Sequence, residues 1–247
     1  MCLIAFQFQP NHAHPLLLAA NREEFFDRPA LPPHKQAGSP AVMCGIDERA
    51  GGTWLGVNQF GVLVAVTNRR KKEVPLAPRS RGLLCRELLN CPTALVAHEL
   101  AMAELSQNSY AGCNFLLADL LTAHIIHAGD QLETNTLSAG FYAVANGNIN
   151  DEQDARLNRV RQSHISHIST AAQFISQAQQ MCAWGSGPTG EAAIVLRKDA
   201  RGTVSSSIIT LARLPSQSSY YHSAGPPDVT PYEDYSPTMR TILSSDA

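Results

Sequence analysis

The sequence predicts an α/β chain in which two β-sheets are each faced by helices, a four-layer αββα sandwich. Strand-like segments, a helix pair, further strands, a second helix pair and final strands follow one another along the chain, and helices in this order cover sheet faces. The 247 residues, 44% of them hydrophobic, suffice for a substantial core. No internal repeat or low-complexity linker interrupts the chain, so we predict one domain over residues 1–247, with 225–247 as a surface tail.

The first strands are predicted as two hairpins. CLIAFQFQ (2–9) and PLLLAAN (15–21) are apolar segments separated by the turn-forming PNHAH, which indicates a buried hairpin. GGTWLGVN (51–58) and VLVAVTN (62–68), joined by QFG, indicate a second one.

Two helices are predicted to follow. SRGLLCRELLN (80–90) and PTALVAHELAMAEL (92–105) have helical spacing. We place their starts at Ser80 and Pro92, since serine caps helices and proline suits a first turn.

The second half repeats this order of strands and helices. Its segments are strands at CNFLLADL (113–120), AHIIHAG (123–129) and FYAVAN (141–146), helices at DEQDARLNRVRQSHI (151–165) and TAAQFISQAQQMCAW (170–184), and strands at about 192–197, 203–211 and 217–223.

Composition narrows the function classes. Nineteen basic and twenty-one acidic residues give a formal charge of -2 without a basic stripe, so nucleic acid is not an expected partner. The six cysteines are scattered and include no C-x-x-C pair, which favours reduced thiols and a cytoplasmic location. The apolar runs near the start are too short for a signal peptide or a transmembrane segment. No zinc, H-E-x-x-H or EF-hand spacing is present, so no metal site is expected.

Cys2 is the candidate nucleophile. Initiator methionine is usually trimmed before a small residue, and removal of Met1 would leave Cys2 with a thiol and a free α-amino group on one residue. Such an amine can act as the base for its own nucleophile. The alternative is that Cys2 is a small buried hydrophobe at the start of a strand.

The first hairpin ends at NREE, which brings four polar residues close to the chain terminus. Arg22 is placed to hold a substrate carboxylate or to lower the pKa of the thiol, and Glu24 to anchor the amine. The alternative is that Asn21, Arg22, Glu23 and Glu24 form only a charged turn.

Six blocks of sequence resemble one known family. MCLIAF, LLLAANREEFFDRP, GGTWLGVNQFGVLVAVTN, SRG, AGCNFLLADL and VANGNIND occur in the expected order over roughly residues 1–210. They resemble the NRDE family, also called the transport and Golgi organisation protein 2 family. The naming motif is NREE here, with Glu23 where the family usually has aspartate.

This resemblance implies the αββα sandwich of N-terminal-nucleophile hydrolases and extends to bile-salt hydrolases and penicillin V acylases. Matched motif by motif, it implies Cys2 as nucleophile, Arg22 and Glu24 as the arginine and acid, and Asn68 and Asn146 as the two asparagines. Two asparagines converging on the nucleophile would form an oxyanion hole. The alternative is that Asn68 and Asn146 are each only an asparagine in a turn.

The sequence also departs from the acylase pattern. The stretch that corresponds to a late arginine is TVSSSIITL, with Ser205–Ser207 and no arginine. Arg22 and Glu24 are offset from the acylase spacing as well, which weighs against a working hydrolytic site.

The same resemblance implies a carrier, because the family is associated with intracellular haem trafficking and with lipid or acyl-CoA homeostasis. We therefore predict a cytoplasmic carrier of haem or a related acyl lipid, with a Cys2-dependent amidohydrolase or thioesterase as the alternative. We expect no required cofactor, because haem would be the transported ligand. The sequence is compatible with a homodimer. The ligand-binding candidates are Asn21, Arg22, Glu23, Trp54 and Arg69. A solvated loop is the alternative for the RRKK that contains Arg69.

Overall fold

A computed structural model describes residues 2–168 and 170–245. Met1, whose removal the sequence leaves open, lies outside the described residues. The strands are β1 (Cys2–Phe8), β2 (Leu16–Phe25), β3 (Ala30–Gln36), β4 (Val42–Asp47), β5 (Leu55–Asn58), β6 (Leu63–Asn68), β7 (Cys113–Ala118), β8 (Ala123–Ala128), β9 (Leu132–Thr136), β10 (Gly140–Val144), β11 (Arg201–Leu211), β12 (Ser219–Ser223) and β13 (Glu233–Asp234). The helices are α1 (Arg81–Leu88), α2 (Ala94–Ser106), α3 (Ala155–Arg161), α4 (Ala171–Cys182) and α5 (Ser236–Leu243).

The chain divides into two compact units, each built on one antiparallel sheet. Unit 1 contains residues 2–28 and 139–237, and its strand order is β10-β1-β2-β11-β12-β13. Unit 2 contains residues 29–138 and 238–245, and its seven strands β3 to β9 lie side by side in chain order. Mixed α and β structure with two sheets is therefore confirmed.

The core of unit 1 forms between its sheet and helices α3 and α4. Leu3 and Ala5 of β1 and Leu17 of β2 pack there with Leu157 of α3 and Phe174 of α4. These strand residues belong to one face because side chains alternate along a strand. Burial of a leucine or phenylalanine side chain in this core contributes about 1.5–3 kcal/mol.

Unit 2 has an equivalent core beneath α1 and α2. Val64 and Val66 of β6 and Phe115 of β7 pack against Leu84 of α1 and Ala101 of α2. The β-branched and aromatic residues suit the sheet, and the alanines on α2 permit close packing of the helix.

Side-chain caps define where the helices begin. Ser80 accepts a hydrogen bond from the Leu83 N–H, as predicted for the start of α1. Thr93, not Pro92, caps α2, because its hydroxyl accepts from the Val96 N–H.

Two segments differ from the sequence prediction. Residues 192–197 form no strand. The N–H groups of Ile194 and Val195 both donate to the Trp184 carbonyl, so the chain turns back on the end of α4 and only Arg197 forms a bridge, to Gly202. Within the predicted tail 225–247, β13 and α5 form, and α5 buries Met239 and Ile242 completely.

Four of the described strands were not predicted: β3 and β9 at the two edges of the unit 2 sheet, β4 beside β3, and β13 at one edge of the unit 1 sheet. β3 contains two consecutive prolines, and β9 (LETNT) is largely polar and exposed. Both features are typical of edge strands and erase the apolar alternation that marks a strand in sequence. Within the described part of the chain, no helix combines the length and apolarity needed to cross a bilayer.

Candidate functional site

The first two strands place Cys2 and Arg22 directly opposite each other. Opposed residues of antiparallel strands point to the same face, with Cβ atoms about 4.5–5.5 Å apart. Cys2 is half-buried, and only 7% of Arg22 is exposed. The side chains of Cys2 and Arg22 therefore start from adjacent positions on one face at the end of the β1–β2 hairpin.

Strands β11 and β12 extend this pair into a row of polar side chains. Ser205 is paired with Arg22, and Ser207 with His222. The Ser207 hydroxyl lies 2.9 Å from His222 Nδ1. We call Cys2, Arg22, Ser205, Ser207 and His222 the polar row.

The polar row lies on the sheet face away from helices α3 and α4. Leu3 and Ile208, which follow Cys2 and Ser207 directly, pack in the core that those helices cover. Because side chains alternate, the row points to the opposite face.

His222 contributes a neutral imidazole. Burial and then the nearby Arg22 charge lower the pKa of His222 to about 4. Its ring also meets the Tyr235 ring edge-on, with centroids 6.0 Å apart. At neutral pH the row therefore combines one cation with uncharged hydroxyl and imidazole groups.

We expect the free energy of unfolding to fall as pH decreases from about 6.5 to about 4. The unfolded imidazole of His222 titrates near 6.5 and the folded one near 4, so the unfolded chain binds the proton first in this window. The loss expected from His222 alone is about 1.4 kcal/mol for each pH unit. Urea unfolding at several pH values measures it.

The control separates His222 from the other titrating groups. His222→Gln should reduce the slope of this part of the pH profile by about 1.4 kcal/mol for each pH unit and leave the part due to His127, whose pKa burial also lowers to about 4. The same change at the exposed His12 should preserve the slope. Equal slopes in wild type and His222→Gln would contradict the assignment.

The residues of NREE alternate between the two faces of the sheet. Asn21 is fully buried on the helix side, where its amide donates to the carbonyls of Cys182 at 2.9 Å and Ile194 at 3.3 Å. Glu23 is on the same side and forms a buried ion pair with Arg156 of α3. The structure thus brings Arg22 to Cys2 and directs Asn21 and Glu23 away from that pair.

Glu24 is engaged locally. Its carboxylate accepts from the Phe25 N–H at 2.9 Å and lies 4.0 Å from the Arg28 Nε. Its role as an anchor for an N-terminal amine remains a prediction.

The other predicted site residues are divided between the units. Asn146 is half-buried just after β10 in unit 1. Asn68 ends β6 in unit 2, opposite Cys113. An oxyanion hole made by both asparagines stays a prediction.

Trp54 and Arg69 are part of the packing of unit 2. The Trp54 ring lies so close to Gly45 that a Cβ there would approach it to 2.9 Å. Arg69 donates to Asn114 Oδ1 at 3.3 Å. Their part in ligand binding also stays a prediction.

No pattern in the sequence pointed to His222, and Ser205–Ser207 were notable only where an arginine was expected. Alternation in SSSII places Ser205 and Ser207 on one face. Their approach to Arg22 and His222 depends on the pairing of β11 with β2 and β12, which is not visible in sequence.

Family comparison matches residues 1–213 to a family described as transport and Golgi organisation 2. The chain belongs to the transport and Golgi organisation 2 family. The human transport and Golgi organization protein 2 homolog and its mouse counterpart are each 32% identical over 158 residues. The match covers 59% of this chain and 57% of each relative's length. The resemblance found in the sequence blocks is confirmed.

Solved structures similar to this family member are hydrolases and acylases. An N-acylethanolamine-hydrolyzing acid amidase ortholog from Caenorhabditis elegans has a TM-score of 0.59 and 12% identity, covering 99% of this chain and 98% of its own. A C2A mutant of conjugated bile acid hydrolase from Clostridium perfringens has a TM-score of 0.56 and 12% identity, and the match covers 95% of this chain and 96% of that chain. Penicillin V acylase from Agrobacterium tumefaciens has a TM-score of 0.51 and 10% identity, and the match covers 90% of this chain and 83% of that chain. These similarities confirm the N-terminal-nucleophile hydrolase fold class.

Proposed function

We propose that this protein binds a small amphipathic ligand, haem or an acyl lipid such as an acyl-CoA, at the polar row and carries it in the cytoplasm. The observation that supports this most is the direct pairing of Cys2 with Arg22. A guanidinium recognises carboxylates and phosphates through paired hydrogen bonds, and both ligands have such groups. Thiolate and neutral imidazole are also side chains that ligate haem iron.

Carriage is favoured over catalysis because the acidic groups of NREE are engaged away from Cys2 and, among the strand pairings of the described residues, no second arginine stands beside it. The Glu23 carboxylate is committed to Arg156, and that of Glu24 to the Phe25 N–H. Ser205 faces Arg22 in the stretch where the acylase pattern has a further arginine. The polar row therefore contains groups that can hold an anionic ligand, and it has fewer of the charged groups that assist acyl transfer in the acylase pattern.

Titration of the purified protein with haem and with an acyl-CoA tests the proposal. We expect saturable binding of at least one of them. Arg22→Gln should weaken it about tenfold, since a charge-assisted hydrogen bond contributes about 1.5–3 kcal/mol. Absorbance in the Soret region reports haem, and calorimetry reports acyl-CoA.

Arg201→Gln is the matched control, because Arg201 is an exposed arginine on β11 of the same sheet. It should bind like wild type. Arg22→Lys retains the charge without the paired geometry and should give an intermediate affinity. Absence of saturable binding of both ligands, or equal affinity of Arg22→Gln and wild type, would contradict the proposal.

The second candidate is a Cys2-dependent hydrolase of an amide or thioester. Its specific support is that Cys2 is half-exposed at the start of β1 in a chain with the hydrolase fold. The thiolate would attack the substrate carbonyl carbon and expel an amine or a thiol, and water would then hydrolyse the acyl-enzyme.

Turnover assays on the same variants distinguish the two functions. If the protein is a carrier, wild type cleaves added acyl-CoA or amide no faster than background, and Cys2→Ala leaves that rate unchanged. A hydrolase predicts release of thiol or amine by wild type and its loss in Cys2→Ala. The intact mass shows whether Met1 has been removed, which the hydrolase requires and the carrier does not.

A further inference from the structure

The β6–α1 connection concentrates positive charge around an exposed apolar tip. Residues 69–79, here called the basic loop, read RRKKEVPLAPR, with five basic residues and one acidic residue, in a chain of net charge -2. Leu76 is fully exposed and Val74 is 51% exposed. The basic loop thus combines two exposed apolar side chains with several cations in one short segment.

The basic loop is fixed at both ends. At its start, the Arg69 N–H donates to the Gly112 carbonyl, and Lys71 Nζ lies 2.6 Å from Asn108 Oδ1. At its end, the Arg79 N–H donates to the Ser109 carbonyl at 2.8 Å. The basic loop is therefore attached to unit 2 at both ends, with the fully exposed Leu76 between them.

Two prolines restrict the tip itself. Pro75 and Pro78 fix their own φ angles and bias the preceding residues toward extended backbone. The backbone on both sides of Leu76, at Val74–Pro75 and Ala77–Pro78, therefore has little conformational freedom to lose when a partner immobilises the tip.

We infer that the basic loop docks the protein on the surface of an anionic phospholipid bilayer. Phospholipid headgroups complement the exposed guanidinium of Arg70 and the charge of Lys72, whose ammonium lies 3.7 Å from Asp130 in an exposed ion pair that a headgroup phosphate can replace. The acyl-chain boundary accepts the apolar side chains of Val74 and Leu76. Basic residues beside a membrane each contribute attraction to anionic lipid, and inserted apolar groups contribute in proportion to their buried area. An acidic protein surface or RNA would match the charge but would leave the leucine without an apolar environment.

This inference is independent of the ligand at the polar row, so it is tested on the protein without added haem or acyl-CoA. Co-sedimentation uses vesicles of phosphatidylcholine alone and of phosphatidylcholine with phosphatidylglycerol. We expect binding only to the second kind, weakening as salt is added. Arg70→Gln should reduce the partition coefficient about fivefold and Leu76→Ser about tenfold.

Leu121→Ser is the matched control, because Leu121 is 70% exposed in the β7–β8 turn of the same unit. It should sediment like wild type. A Leu76→Trp variant adds a direct signal, since its fluorescence should shift to the blue on anionic vesicles. Failure to bind them, or equal binding by Leu76→Ser and wild type, would overturn the inference, as would capture of RNA or an acidic polypeptide without vesicle binding.

Discussion

Glu23→Gln is expected to lower the free energy of unfolding by about 3–5 kcal/mol. Glu23 is 4% exposed, and its carboxylate is paired with the Arg156 guanidinium, which also donates to the Ile194 carbonyl at 3.2 Å. Neutralising Glu23 leaves the Arg156 charge buried without its counterion, and the cost of desolvating that charge is then uncompensated. Urea unfolding at neutral pH measures the change.

Glu24→Gln is the control for this prediction. Its carboxylate is only 4.0 Å from Arg28 Nε in a half-exposed pair, and such pairs contribute about 0–1 kcal/mol. Glu23→Asp restores the family's usual residue and the charge but shortens the reach, so its stability should lie between those of wild type and Glu23→Gln. A loss below about 1 kcal/mol in Glu23→Gln would show that the pair contributes little.

Asn58→Ala is expected to destabilise the chain by about 4 kcal/mol or more. The Asn58 side chain is fully buried and donates to the carbonyls of Leu89 at 3.0 Å and Cys91 at 2.7 Å. Its Oδ1 accepts from the N–H groups of Phe60 and Val62, each at 3.0 Å. Alanine removes four hydrogen bonds, each worth about 1 kcal/mol, and leaves buried backbone groups without partners.

Asn90→Ala provides the comparison. Asn90 is exposed and makes a 3.4 Å contact with the Arg86 carbonyl, so its replacement should change stability by less than about 0.5 kcal/mol. Thermal and urea unfolding should rank the two variants in the same order. Equal stability of Asn58→Ala and wild type would mean that the β5–β6 turn does not depend on this side chain.

Much of the fold was predictable because its central elements carry strong local signals. The two strands of the β1–β2 hairpin are apolar runs separated by turn residues, so the hairpin was placed correctly. Helix α1 begins after the Ser80 cap, as predicted. Edge strand β3 was missed because its prolines and exposed residues leave no periodic signal. Residues 192–197 look like a strand, but their N–H groups bond to the end of α4.

The candidate site was less predictable because it depends on pairing between distant strands. The pairing of Cys2 with Arg22 follows from a short hairpin, whose register is set locally. The approach of Ser205 and His222 requires β11 to pair with β2, which no local pattern specifies. Sequence proximity also grouped Asn21 and Glu23 with Arg22, although the alternation of the strand separates them.

The two sheets impose different demands on a chain that emerges residue by residue from the ribosome. Every strand of unit 2 pairs with its neighbour in sequence, so this sheet can assemble progressively through local contacts. In unit 1, Ser206 bonds to the Ala20 carbonyl across 186 residues, and closing so long a loop is slow. Strand β11 can therefore pair with the β2 edge of the amino-terminal hairpin, which contains Cys2 and Arg22, only after most of the polypeptide has been synthesised. Nascent chains thus spend much of translation with an unpaired β2 edge, the stage at which chaperone protection against intermolecular strand pairing matters most.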